Sequence, residues 1–527
     1  MKIKMQKILS LFFSSLLLLG ASTAVHAQNT PGYNNKIPDT ILTPDTVETR
    51  IGTLKFFDGQ PDADTVQMVY DNLDFMRGVE TFLNGMPAAS IEGLRRGQVE
   101  LGATEANHVV IFDDLMDSDP LFLTGNTDTV YALGFFDLNK DGPMVVEVPK
   151  GSGPGTVNDA FFRFVIDMGA PGPDKGQGGK YLLLPPEYDG PLEAPIGGKE
   201  QDVEVNGTTE KMFVTQSPSY VNWLILRGFL VDGEPDAASA MFRNGIKIYP
   251  LAKAANPPAM EFFNGSEKSF NTVHANNFEF YNELDDVIQR EYVGFLDPEL
   301  RGLFAAIGIQ KGKEFAPDGR MTKLLTEAVA VGNATARANW IRSREEGVFY
   351  YPNSGWYTAF IGGSHEFLKD KGEGGRYLDA RLLFHYWATV ITPAMVVPMV
   401  GVGSQYAMTN VDKDSNYLDG AKTYKLNIPA NVPAKDFWSV VAYDPQTRSQ
   451  LQTSQPFPAK NNQRHKMDVN KDGSIDLYFA PQAPKGKDAN WIQTVPGKGW
   501  FIALRLYGPL EPWFDKTWQP GEIELVK

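Results

Sequence analysis

The feature that most constrains this chain is a run of short apolar and aromatic segments near its end, residues 436–512. The run opens with DFWSVVAYD (436–444), passes through IDLYFAP (475–481) and NWIQ (490–493), and closes with GWFIALRLYGPLEP (499–512). Gly, Pro, Asn and Asp punctuate it. Apolar runs this short, each stopped by turn formers, predict buried strands. The same order of segments occurs earlier in the chain. VVEVP (145–149) answers YKLNIP (424–429), and DAFFRFVID (159–167) answers 436–444. YLLLPP (181–186) answers DLYFAP (476–481), and NWLILR (222–227) answers GWFIALR (499–505) with a one-residue slip. Spacing differs only where loops absorb it. Four matching blocks predict two β domains related by internal duplication, and an interface between such domains is a natural place for a ligand.

The expected fold class is mainly β with helical insertions, a multi-domain α+β chain. It would hold two jelly-roll-like antiparallel β-sandwich domains plus a helical segment. At 527 residues there is room for about three domains. Residues 28–60 read as a leader and a short strand. Helices are expected over 61–103, with Asp62 or Asp64 as the N-cap and a second helix from residue 88. The first sandwich is expected over 104–250, a mainly helical connection over 251–400, and the second sandwich over 401–527.

Residues 1–27 read as a secretory signal: Lys2, Lys4 and Lys7, then an apolar stretch to Leu19, then Val25-His26-Ala27 before the cut. The expected location is periplasmic or secreted. The apolar stretch is too short to span a bilayer, and no later segment reaches about 18 continuous apolar residues. The chain has no Cys, which excludes disulfides and thiolate chemistry. Its net charge of −15 argues against nucleic acid and anionic lipid as partners.

The chain resembles a bacterial family built from paired domains of unknown function, 1254 followed by 1214. The resemblance rests on Asn126, Asp128, Thr129 and Tyr131, on the GGKYLLLPP stretch at 178–186, and on Arg227 with Asp232-Gly233. In the second half it rests on Phe437-Trp438-Ser439 with Tyr443-Asp444, on Gly473-Ser474 with Asp476 and Tyr478, on Asn490-Trp491, and on Arg505 with Tyr507-Gly508-Pro509. It covers nearly the whole chain after residue 27. It implies a predominantly β, multi-domain envelope or secreted protein with helical insertions, and it implies no reaction.

The chemistry-bearing motifs are sparse. His108, His274, His365, His385 and His465 fall at no metal-ligand spacing, so no metal or other cofactor is expected. Asp468, Asn470 and Asp472-Gly473 copy the first half of a calcium loop, but Phe479 stands where the closing Glu belongs, and a turn is the plainer reading. Ser364-His365-Glu366 is contiguous and reads as a turn. Asp113, Asp114, Asp117 and Asp119 read as a solvated acidic loop.

What remains is polar residues set in apolar strands. Arg163, Arg227 and Arg505 each need a partner if buried, and an arginine can instead grip a carboxylate or sugar hydroxyls. The ligand-binding candidates are Asn126, Asp128, Tyr131, Arg163, Arg227, Tyr443, Asp444, Trp491 and Arg505. In a strand, Asn126 and Asp128 would face one way and Tyr131 the other. The expected function is binding of a small polar molecule or glycan at or between the two β domains. A metal-independent hydrolase or lyase with an Asp/Tyr/Arg site, and a structural envelope protein, with homo-oligomer formation open, are the alternatives.

Overall fold

The computed structural model describes residues 37–345 and 347–526. The expected signal segment lies outside them. Two compact units divide the chain after Leu73. In the first, β1 (Thr46–Thr49), β2 (Gly52–Phe57) and β3 (Gln60–Pro61) form an antiparallel meander. It leads into helix α1 (Ala63–Glu100), where Asp62 caps the first turn by accepting from Thr65 N at 2.8 Å.

In the second unit α1 runs on through Pro87 as one helix rather than two. An interior proline costs about 3 kcal/mol. Phe82, Met86, Ala88, Ala89, Ile91 and Leu94 are all buried on both sides of it, and burying one large apolar side chain returns about 1.5–3 kcal/mol.

The first β region comprises β4 (His108–Ile111), β5 (Thr129–Asp137), α2 (Leu138–Asp141), β6 (Met144–Val148), β7 (Pro154–Asp159), β8 (Phe164–Gly169), β9 (Gly179–Leu184), β10 (Lys199–Val205), β11 (Thr208–Gln216), β12 (Val221–Phe229), α3 (Asp236–Gly245), β13 (Lys247–Pro250) and β14 (Glu261–Asn264). Strand β14 pairs with β4, so this region reaches past residue 250. Residues 247–250 pair with β6 once Gly245 has ended α3.

The connection holds α4 (Glu279–Arg290), α5 (Pro298–Ala305), α6 (Gly319–Ile341), α7 (Leu378–Trp387) and α8 (Pro393–Val396). The second β region follows: β15 (Ser404–Thr409), β16 (Tyr424–Ile428), β17 (Ala434–Tyr443), β18 (Ala459–Asn461), β19 (Ile475–Ala480), β20 (Trp491–Gln493), β21 (Phe501–Pro509), α9 (Glu511–Phe514) and β22 (Ile523–Leu525).

Four sheets result. Sheet I is β14-β4-β5-β12-β7-β8 and sheet II is β10-β11-β9-β6-β13; sheet III is β15-β21-β17-β18 and sheet IV is β20-β19-β16-β22. Sheets I, II and IV are mixed, because β14·β4, β9·β11 and β19·β20 run parallel, whereas sheet III is antiparallel throughout. Six ladders recur in the same chain order and direction in both regions. β5·β12, β7·β12, β7·β8, β6·β9, β9·β11 and β6·β13 match β15·β21, β17·β21, β17·β18, β16·β19, β19·β20 and β16·β22. By pairing, the counterpart of β17 is β7. Residues 159–167 are instead the last residue of β7, a turn and the first four residues of β8.

The faces are divided by register. Leu224 and Leu226 of sheet I share a core with Val146 and Leu183 of sheet II. Ile502 and Leu504 of sheet III share one with Leu426 and Phe479 of sheet IV. The other face of sheet I carries Tyr131, Trp223 and Ile225 and packs against Ile91 and Leu94 of α1. The other face of sheet III carries Met408, Phe501 and Ala503 and packs against Trp340 and Trp387. Sheets I and III are thus covered on both faces, which is why β12 and β21 read as unbroken apolar runs and not as alternating ones.

Glu283 in α4 and Glu291 just after it are two buried carboxylates that tie the connection together. Glu283 accepts from Ala275 N at 3.0 Å, and Glu291 accepts from Tyr220 N at 2.7 Å and Val221 N at 2.9 Å. Burial pushes Glu283 up to about 8 and Glu291 up to about 7, against the lowering effect of those backbone donors. The folded chain therefore keeps protons that the unfolded chain has released, and stability falls as pH rises through 7 to 8. Buried His274 and His385 are pushed down to about 3 by desolvation. Below about 6.5 the unfolded chain gains protons that these imidazoles refuse, which offsets the effect of the two carboxylates on that side. Urea midpoints between pH 5 and 9 should be highest near pH 5–6 and fall most steeply between about pH 6.5 and 8. Glu283→Gln should flatten the alkaline limb by up to about 1.4 kcal/mol per pH unit. An alkaline limb unchanged in the variant would show that Glu283 does not hold its proton.

Candidate functional site

A cavity of about 340 Å³ opens between the facing sides of sheets I and III. It meets a narrow apolar niche lined by Phe360, Trp387 and Val390, and Arg227, Tyr406 and Met395 border both spaces. The two regions supply matching positions. Arg227 of β12 lies opposite Tyr131 of β5, and Arg505 of β21 lies opposite Tyr406 of β15. Each guanidinium sits over its tyrosine ring, at 5.4 Å and 5.2 Å from the centroid. Two residues along, Phe229 faces Thr129 and Tyr507 faces Ser404, and all four line the cavity.

The equivalent arginines differ in what they hold. Arg505 is buried, and it donates to Tyr443 Oη at 2.7 Å and to the Thr124 carbonyl. Tyr443 Oη in turn donates to the Gly125 carbonyl at 2.8 Å. Arg505 is thus a structural tie from β21 to the loop before β5. Arg227 is half-buried and, among the described residues, has no hydrogen-bond or ion-pair partner. The Tyr406 hydroxyl likewise has no hydrogen-bond partner among them.

Asp167 faces the same cavity from β8 and is 8% exposed. Its two oxygens accept from Thr392 Oγ1 at 2.6 Å and 2.8 Å. Burial raises its pKa to about 6, while the hydroxyls of Thr392 and Thr156 and the charge of Arg227 pull the other way. The wall at Thr392 is held against strain. Val390 has φ 71°, a conformation costly for a β-branched residue, and Asn158 clamps the following peptide through Ile391 O at 2.8 Å and Ile391 N at 3.3 Å.

Asp128 is fully buried but spent. It accepts from Ser439 Oγ at 2.5 Å and Asn461 Nδ2 at 2.8 Å, with Tyr507 Oη at 3.5 Å. Strand β5 starts only at Thr129, so the expected alternation of Asn126, Asp128 and Tyr131 does not hold. Asn126 instead forms a turn, accepting from Asp128 N and Thr129 N, and its amide donates to Tyr131 Oη at 2.7 Å.

Three expected candidates lie elsewhere. Arg163 sits in the β7–β8 turn and pairs with Asp159 at 2.5 Å. Asp444 pairs with Lys498 and caps Gln446 N. Trp491 donates its indole N–H to Ala480 O at 2.8 Å. The Asp468–Asp472 stretch forms a turn in which Asp472 accepts from Ser474 N and Oγ. Among the described residues no group of three His, Cys, Asp or Glu side chains is placed to hold a metal ion. Of the four aspartates after β4, Asp114 and Asp119 are exposed, whereas Asp113 pairs with Arg243 and Asp117 is buried. Sequence reasoning missed Thr129, Asp167, Thr392, Ser404, Tyr406 and Tyr507 as cavity residues. Extending the repeat back to β5 and β15 would have found Thr129, Ser404 and Tyr406.

No helix among the described residues is long and apolar enough to cross a membrane. The chain is similar over 86% of its length to the crystal structure of the VPA0106 protein from Vibrio parahaemolyticus, with 15% identity, all of that chain covered and a TM-score of 0.50, which speaks to the fold alone. A putative uncharacterized protein from Burkholderia cenocepacia aligns over 87% of this chain and 96% of its own, at 13% identity and a TM-score of 0.37. No curated protein matches. Residues 106–250 match the model for the protein of unknown function DUF1254, and residues 403–511 match that for DUF1214. These two regions, in that order, hold nearly all the strands of the six repeated ladders, and the chain belongs to the family that pairs DUF1254 with DUF1214.

Proposed function

We propose that this chain is a binding protein that captures a small, polar, carboxylate-bearing ligand between sheets I and III, with Arg227 as its anchor. The observation that carries the reading is the unpartnered Arg227 guanidinium at the cavity, beside an equivalent arginine whose donors are used by the protein. A half-buried guanidinium without an acceptor among the described residues matches a carboxylate with two parallel hydrogen bonds. The Tyr406 hydroxyl and the Thr129 and Ser404 side chains add polar contacts around it. Binding is favoured over hydrolysis or lysis through Asp128, because Ser439 and Asn461 already occupy that carboxylate.

The ligand classes separate in a thermal-shift screen of the purified chain against organic acids, acidic sugars, neutral glycan fragments and amines. A ligand at a hundred times its Kd adds about 2.7 kcal/mol of stability. Acids and acidic sugars are expected to raise the melting temperature. A response confined to neutral glycans would overturn the anchor role of Arg227. Two further readings accompany this one. The six matching ladders support divergence from one duplicated unit. The composition of residues 1–27 supports export, for which the N-terminus of the secreted form is expected at Gln28.

A further inference from the structure

Register places a second charge on the face that carries Arg227. Asp167 pairs with Thr156, Thr156 pairs with Ile225, and Ile225 is two residues from Arg227 in β12. Partners across a ladder and residues two apart along a strand share a face. Arg227 and Asp167 therefore both line one cavity, yet no ion pair joins them. A carboxylate has about four acceptor sites, and among the described residues the threonine hydroxyls of Thr392 and Thr156 are the side-chain donors that bear on Asp167. The cavity thus offers a cation that lacks an acceptor among the described residues and an anion able to accept more.

A simple carboxylate would satisfy the first and be repelled by the second. A ligand with both a carboxylate and a donor satisfies both. The exposed rim has an apolar side, where Phe229 and Val402 reach solvent with Pro171 and Met395 beside them, and a charged side, where Lys435 and Asp436 are exposed.

We propose that the ligand is a small carboxylate that also carries an ammonium or hydroxyl donor, its carboxylate on Arg227, its donor on Asp167 and its hydrocarbon part against the apolar rim. This rests on the binding role given to Arg227 above. The test is isothermal titration of the full chain with a matched set: hexanoate, its 2-amino, 6-amino, 2-hydroxy and 6-hydroxy derivatives, and 1-hexylamine. At least one donor-bearing acid is expected to bind tenfold or more tightly than hexanoate, with hexylamine weakest. Preference between amino and hydroxy members identifies the donor. In Asp167→Asn that tenfold lead should vanish while hexanoate binds at least as well as before, since the threonine hydroxyl can still donate to the amide oxygen. The selectivity of the unaltered chain is decisive even if the variant misfolds. Hexanoate binding as tightly as every derivative would overturn the second anchor and leave Arg227 standing. Silence from all the acids would overturn both.

Discussion

Arg227→Ala is expected to weaken binding of a carboxylate ligand roughly 100-fold, the loss of two charge-assisted hydrogen bonds at about 1.5 kcal/mol each. The ligand-free chain should melt within about 2 °C of the parent, because in the empty site this side chain holds only a ring face and surrenders no hydrogen bond or ion pair. Arg227→Lys should fall between the two, since it keeps the charge and loses the fork. The measurement is a titration on each variant beside its ligand-free melting curve. Unchanged affinity in Arg227→Ala would remove the anchor. A large loss of stability would make Arg227 a structural residue like its counterpart.

Arg505→Ala tests that counterpart and should behave the opposite way. It removes bonds to Tyr443 Oη and the Thr124 carbonyl and the ring contacts with Tyr406 and Tyr443, and it leaves a void in a fully enclosed place. The expected cost is about 3–5 kcal/mol, as for other losses of a buried, hydrogen-bonded charge. Urea unfolding of the two alanine variants side by side gives the answer. Arg505→Met, which refills part of the space without a charge, should recover some of the loss. A cost below about 1 kcal/mol would mean that the loop before β5 is held by its other contacts, among them Thr124 N to the Arg448 carbonyl at 2.8 Å.

The contrast falls at matched positions of the two regions. Both arginines stand near the middle of the central strand of an inner sheet, each opposite a tyrosine. In one half the chain supplies acceptors for the guanidinium, and in the other none of the described residues does.

Much of the strand pattern was legible in the sequence because doubly covered strands need apolar residues at every position, as in β12 and β21. The repeat was legible for the same reason. It was misaligned at one block, since DAFFRFVID has the apolar content of a strand but turns at residues 160–163, where Arg163 bonds back to Asp159. Pro87 misled because local propensity favours a break there, and burial on both sides outweighed it. Asn126 misled because a side chain that bonds its own backbone replaces extended geometry with a turn, which alternation reasoning does not see.

By itself the amino-acid sequence determined the β-rich class with helical insertions, the order of the two regions, the family, and the arginines worth asking about. Which arginine is free was decided only by tertiary structure. Arg227 and Arg505 have nearly the same neighbours along the chain, and the acceptors that occupy Arg505, Tyr443 Oη and the Thr124 carbonyl, come from β17 and from a loop of the other region. The pairing of Asp167 with the same cavity is likewise a matter of strand register. Hydrogen bonds and charges act over a few ångströms in space, and only the packing of sheet I against sheet III brings those groups within that range.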